Sequence, residues 1–154
     1  MIASWVVVAN AGLARIFSLE SFSFPLEEIK DIANKDVHLL TSETESDQIG
    51  QRAASKSKHS VGAPTQPSGY QPHQSPEEHR TELFARRIAD FLLQGHNENK
   101  FRQLILISSP EFLGQLRKVL DRSLTSLVAL EINKDYTHVD PDKLIQYIQQ
   151  QARA

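Results

Sequence analysis

Residues 4–19 read Ser-Trp-Val-Val-Val-Ala-Asn-Ala-Gly-Leu-Ala-Arg-Ile-Phe-Ser-Leu, and this stretch decides the fold. Its first six residues are β-branched and apolar on both faces, the pattern of a strand covered on both sides. Asn10-Ala11-Gly12 is a turn signal. Residues 13–19 then alternate, with Leu13, Phe17 and Leu19 on one face and Ala14 and Ile16 on the other. The stretch predicts a hairpin whose first strand is central. Residues 26–33 alternate less cleanly and predict an edge strand; 36–40 fit either a helical turn or a short strand.

Downstream the period changes. Ser75-Pro76-Glu77-Glu78 has the form of a capping box with proline at the first helical position. Phe84, Ile88, Phe91 and Leu92 follow at helical spacing, and Gly95 is read as the C-cap region. Residues 104–107 predict a buried strand. Ser109-Pro110-Glu111 opens a second helix with an apolar stripe of Phe112, Leu113, Leu116, Val119 and Leu120. Residues 127–132 predict a third core strand. Asp140-Pro141-Asp142 opens a last helix with Leu144, Ile145 and Ile148 inward. Strand–helix alternation implies right-handed parallel crossovers. The expected fold is α/β: a mixed sheet of about five strands, an antiparallel meander followed by parallel βα units, with helices on both faces.

Between these halves, residues 44–75 are unlike their flanks. They hold Pro64, Pro67 and Pro72, Gly50, Gly62 and Gly69, and few large apolar residues. Such a segment cannot bury enough apolar surface to offset its ordering entropy, so a long flexible loop within a single domain of 154 residues is expected. The loop also splits the charge. The chain carries a net −2, but residues 51–76 contain Arg52, Lys56 and Lys58 and no acid, giving +3, so the other 128 residues carry −5.

Composition narrows the chemistry. There are no cysteines, which excludes disulfides, thiolate metal sites and thiol nucleophiles. No apolar stretch is long enough to span a bilayer, and no basic n-region of a signal peptide is read, so no membrane insertion and a cytoplasmic location are expected. Six histidines, at 38, 59, 73, 79, 96 and 138, lack zinc-ligand spacing, and phosphate-cradling glycine motifs are missing. No metal and no cofactor are expected. Ligands of open α/β sheets sit outside the carboxyl ends of parallel strands. This makes a candidate crevice of Asn10, Ser109, Lys134 and Asp135. Lys134 could bind an anion and Asp135 orient it or act as base; alternatively Lys134 is solvated and Asp135 makes a turn hydrogen bond. Ser109 is read as a helix-cap serine, since no G-x-S-x-G elbow supports a nucleophile. Arg52, Lys56 and Lys58 could contact phosphates of a nucleic acid.

Several segments together resemble the bacterial host attachment protein family. Trp5-Val6-Val7-Val8-Ala9-Asn10 with Ala14-Arg15-Ile16-Phe17 is similar to its opening hairpin. Ser46-Asp47-Gln48-Ile49-Gly50-Gln51-Arg52 is similar to its S-D-x-P-G-R region, and Leu83-Phe84-Ala85-Arg86-Arg87-Ile88-Ala89 to its F-A-x-x-[IL]-A helix. Ser109-Pro110-Glu111-Phe112-Leu113-Gly114-Gln115-Leu116-Arg117 resembles P-x-F-L-G-x-L-R, and Lys134-Asp135-Tyr136-Thr137-His138 resembles K-D-[LY]-T-H. The family name implies a role in attachment to host cells.

The family in turn resembles the middle domain of archaeo-eukaryotic class I release factors. That resemblance implies an RNase H-like sheet and a loop that, in release factors, carries Gly-Gly-Gln into the ribosomal peptidyl transferase centre. Here Gly50 and Gln51 match, while Ile49 replaces the first glycine and removes the freedom of a glycine pair. Asn10 stands where the family commonly carries Asp, whereas an RNase H-type metal nuclease needs clustered carboxylates. The resemblance therefore implies binding rather than catalysis. The leading expectation is a translation-related RNA surface, the ribosome or tRNA, bound through Gly50, Gln51, Arg52, Lys56 and Lys58. Two alternatives stand beside it: a protein-interaction factor for surface attachment without RNA, and a hydrolase using the Lys134/Asp135 corner; Gln51 is the catalytic candidate only in a peptidyl-tRNA-hydrolysing variant of the first reading.

Overall fold

The computed structural model describes residues 3–21, 25–35 and 75–153. The chain divides into two units, Met1–Asn34 with Thr81–Ala154, and Lys35–Arg80. The architecture below is that of the first. Residues 36–40 and 44–74, including Gly50, Gln51, Arg52, Lys56 and Lys58, lie outside the described residues.

The mixed five-stranded sheet expected from the sequence is present, in the order β3-β2-β1-β4-β5. Strand β1 (Ser4–Ala9) is buried along its whole length. It pairs antiparallel with β2 (Leu13–Leu19) and parallel with β4 (Gln103–Ser108). Valines at 6, 7 and 8 suit this place because both faces of the strand are covered. Strand β3 (Glu27–Ala33) is the edge strand read from its irregular alternation, with only Ile32 buried. Strand β5 (Val128–Ile132) pairs parallel with β4 and forms the opposite edge. The expectation of a core strand at 127–132 is thereby corrected. Its apolar residues are covered from the β4 side, and only Ile132 is buried.

Two cores sandwich the sheet. Trp5, Val7 and Ala9 point into one, against helix α1 (Pro76–Asn97), helix α2 (Pro110–Val119) and Leu124 of the short helix α3 (Arg122–Thr125). Val6, Val8 and Phe17 point into the other, against Leu144 and Ile148 of helix α4 (Pro141–Arg153). Helices thus cover both faces. Helix α1, which leads into β4, and helix α2, between β4 and β5, both lie on the first face, as right-handed connections advancing in one direction must.

Helix α1 corrects one reading. Its N-terminus is capped as expected, Ser75 Oγ accepting from the Glu78 N–H at 3.1 Å. Gly95, however, lies inside the helix. The helix ends in a Schellman turn centred on Asn99, the left-handed residue at φ 60°, with Lys100 N–H donating to Gly95 O and Asn99 N–H to His96 O, both at 2.9 Å. Glycine is needed at 95 for space: a Cβ there would lie 2.5 Å from Trp5 Cη2. That indole is held between Phe91 and Phe101, with centroid separations of 5.6 and 4.6 Å.

Candidate functional site

Strand β5 ends at one edge of the sheet, yet α4 must pack under Val6 and Val8. The connecting residues 133–140 therefore cross the carboxyl ends of β4 and β1. This crossing brings Asp135 to Asn10, 125 residues apart in sequence.

Asn10 uses its whole amide. Its Oδ1 accepts from the N–H groups of Gly12 at 2.8 Å and Leu13 at 2.9 Å, forming the hairpin turn. Those two donors fix the amide orientation, so Nδ2 faces the crossing segment. It donates to Asp135 Oδ2 at 3.0 Å and to Thr137 Oγ1 at 3.2 Å. Thr137 is buried. Its hydroxyl and its N–H both donate to Asp135 Oδ1, at 2.7 and 3.1 Å. Burial pushes the Asp135 carboxyl up, but the bonds from Asn10 and Thr137 and the neighbouring His138 outweigh it and hold the group below the usual aspartate value.

Arg15 of β2 fastens the same crossing from the neighbouring strand. Its Nη1 donates to the carbonyls of Thr137 at 3.0 Å and Val139 at 3.1 Å. Its Nε and Nη2 grip Glu28 of β3 at 3.0 and 3.3 Å, and its guanidinium lies 5.0 Å from the centre of the Phe17 ring. The hydrogen bond from Arg15 holds the Glu28 carboxyl below its usual value. Asp31, hydrogen-bonded to Glu28 and sharing its charge, is pushed up.

Chemically the corner is a clasp. A carboxylate with three donors on it is a weak base, because each donor stabilises the charged form. Of the crevice residues, Asn10 and Asp135 are brought into direct contact. Ser109 lies beside them, its N–H donating to Ala9 O at 3.3 Å. It occupies the N-cap position of α2, but its hydroxyl caps nothing; its carbonyl accepts from Leu113 N–H instead. Lys134 is exposed and has no ion pair among the described residues. Sequence reasoning missed Thr137 and Arg15 as members of this corner. The Asp-x-Thr spacing carried a signal for the first, since a hydroxyl and an N–H two residues on reach back to the aspartate. Arg15 had only its place beside Phe17 in the strand register. Among the described residues no three His, Asp or Glu side chains gather as metal donors.

The family model described as protein required for attachment to host cells matches residues 5–148. The chain belongs to this family. Residues 10, 15, 135 and 137 all lie inside the matched span. Among solved structures, the chain is similar to an archaeal translation termination factor, aRF1, at 10% identity and a TM-score of 0.49, covering 98% of this chain and 39% of that one. A second archaeal protein is similar at 10% identity and a TM-score of 0.44, covering 98% of this chain and 40% of that one. The family member thus spans about two fifths of the length of the structures it matches. No curated protein matches it. No helix among the described residues is long and apolar enough to cross a membrane.

Proposed function

We propose that this protein is a non-catalytic, cytoplasmic binding module that contacts a translation-related RNA or ribosomal surface through residues 44–75. Arg52, Lys56 and Lys58 engage phosphates, and Gly50 and Gln51 sit near the working tip. The observation that carries the reading is the charge partition, +3 without a single acid over 51–76 against −5 elsewhere. An acidic body keeps nucleic acid off its own surface and leaves one cationic segment to meet it. The corner at the sheet's carboxyl edge supports the same view. Its carboxylate is occupied in holding the crossing segment. Asn34, where the first unit is left, is buried and tied to the same hairpin turn through Asn34 Nδ2 to Ala11 O at 3.0 Å.

Co-sedimentation with ribosomes over a salt series tests this. Wild type pellets at low salt and is released as salt rises; three phosphate contacts give a log–log slope of about −2. Deletion of 51–60 leaves the protein in the supernatant. If wild type also stays in the supernatant at low salt, the reading fails. Peptidyl-tRNA hydrolysis by wild type, lost in Gln51→Ala, would replace binding by catalysis. The family description favours a second reading, a protein-interaction factor for attachment without an RNA partner. It predicts that a knockout loses adhesion while translation is unchanged.

A further inference from the structure

The clasp fixes a residue that takes no part in it. Tyr136 lies between Asp135 and Thr137, and its own carbonyl accepts from Val139 N–H at 3.0 Å. Arg15 holds the carbonyls of Thr137 and Val139. The backbone on both sides of Tyr136 is therefore anchored, although the residue stands in a connection rather than in a helix or strand. Its ring stacks on Tyr147 of α4, with centroids 4.8 Å apart and planes inclined by 29°. Tyr147 is held by its helix, whose Leu144 and Ile148 are buried in the second core.

The pair stands at the margin of that core. Both tyrosines are half-buried, and among the described residues neither hydroxyl has a hydrogen-bond partner. A tyrosine enclosed in a core usually finds such a partner, whereas one with an open polar end belongs to a surface that is apolar on one side and wet on the other. Lys134 stands two residues before Tyr136, and Lys143 one helical turn before Tyr147. Both lysines are exposed, and neither has an ion pair among the described residues. The nearby acids are engaged: Asp135 is closed by three donors, and Asp140 and Asp142 sit at the positive end of α4. The exposed amides of Gln146 and Gln150 share the side of α4 that carries Lys143 and Tyr147.

Flat aromatic faces, flanking cations and amides on one rigid surface are the parts of a single-strand nucleic-acid site. We infer that the Tyr136–Tyr147 pair is a stacking platform for an unpaired base of single-stranded RNA, with Lys134 and Lys143 placed for the adjoining phosphates. The assignment rests on the RNA reading above for its partner. It agrees with an acidic body, because the face of a base is uncharged and a protein carrying −5 outside 51–76 does not repel it. Stacking also tolerates any sequence, since every base has a π-face. Anchoring of residues 135, 137 and 139 means that little ordering remains for the platform to undergo on binding.

The direct probe is adenosine monophosphate, titrated into the full chain with ¹³C-labelled tyrosine rings. Saturable shifts are expected at Tyr136 and Tyr147, assigned through Tyr→Phe variants, and they persist when 51–60 is deleted. Ribose 5-phosphate, which lacks the base, produces none. The second measurement is anisotropy of a labelled oligoadenylate of about twelve nucleotides over a salt series. Tyr147→Leu keeps an apolar contact with Tyr136 but offers no flat face; it weakens binding about tenfold at every salt concentration. Tyr147→Phe binds as wild type does. Lys143→Ala makes the log–log salt slope shallower by about 0.7. Circular dichroism checks that each variant folds. Absent ring shifts overturn the platform, as does a Tyr147→Leu variant that folds and binds oligoadenylate like wild type. Equal shifts with glucose would assign the surface to a glycan and overturn the choice of partner. Ring shifts in a protein that fails to pellet with ribosomes would uphold the platform and refute the ribosomal reading; pelleting without ring shifts would do the reverse.

Discussion

Replacing Thr137 by valine tests the clasp directly. Threonine and valine have nearly the same shape, so the change removes one buried hydroxyl and leaves little cavity. Two hydrogen bonds go with it: the one donated to the Asp135 carboxylate at 2.7 Å and the one accepted from Asn10 at 3.2 Å. A bond to a charged group contributes about 1.5–3 kcal/mol and a neutral one about 1. Asp135 is exposed enough for water to replace part of the first, and the added methyl returns about 0.8 kcal/mol of burial. A net loss of about 1–2 kcal/mol at neutral pH is expected. Urea denaturation followed through Trp5, the sole tryptophan and a buried one, measures it. The pH dependence has a definite sign. Asp135 is held below its unfolded value, so its contribution is complete above about pH 4 and fades as pH falls through the folded value. The variant lacks one of the bonds that lower the group, so the stability gap between the two proteins must narrow as pH falls and the carboxyl becomes protonated in both. Equal stability at neutral pH would refute the clasp; so would a gap that stays constant into acid.

Two further outcomes follow from the same geometry. Gly95→Ala gains about 1 kcal/mol in helix propensity, but its Cβ meets the indole of Trp5 at 2.5 and 2.7 Å. Overpacking against a ring already fixed between two phenylalanines costs about 1–3 kcal/mol, so urea titration should show a net loss of up to about 2 kcal/mol, recovered in part by Trp5→Phe. Arg15→Lys cannot reach two carbonyls and a carboxylate at once. It should cost about 1–3 kcal/mol, and a ¹³C titration should show the Glu28 carboxyl moving up toward its ordinary value.

The periodicities of the sequence contain the sheet because each is local. Five apolar residues followed by Asn-Ala-Gly and an alternating seven specify a hairpin without reference to the rest of the chain. The misreadings share the opposite property. Gly95 looks like a helix end because glycine so often stops helices, and nothing near it in sequence announces that Trp5 occupies the space of its side chain. The strand at 128–132 reads as core because Val, Leu and Ile line it, whereas burial depends on whether another strand follows on its far side. Thr137 and Arg15 meet across 122 residues. Their association follows from the path that α4 imposes on the crossing segment, a consequence of topology that no window of sequence carries. Asn10, Asp135 and Ser109 were legible as neighbours because they stand at the ends of parallel strands. Their hydrogen bonding was not.

Asn10 decides what this corner can be. An aspartate there would keep the two acceptor bonds to Gly12 and Leu13 but lose both donors, and its second oxygen would face the Asp135 carboxylate at about the 3.0 Å now spanned by a hydrogen bond. Two carboxylates that close cannot both ionise without a cation or a shared proton between them. The amide removes that conflict by turning one acceptor into two donors. It converts an acid pair, reactive toward protons and cations, into a closed set in which each side-chain polar group of Asn10 and Asp135 is answered. The carboxyl edge, where an open α/β sheet would ordinarily offer a crevice, is in this chain filled by its own crossing segment.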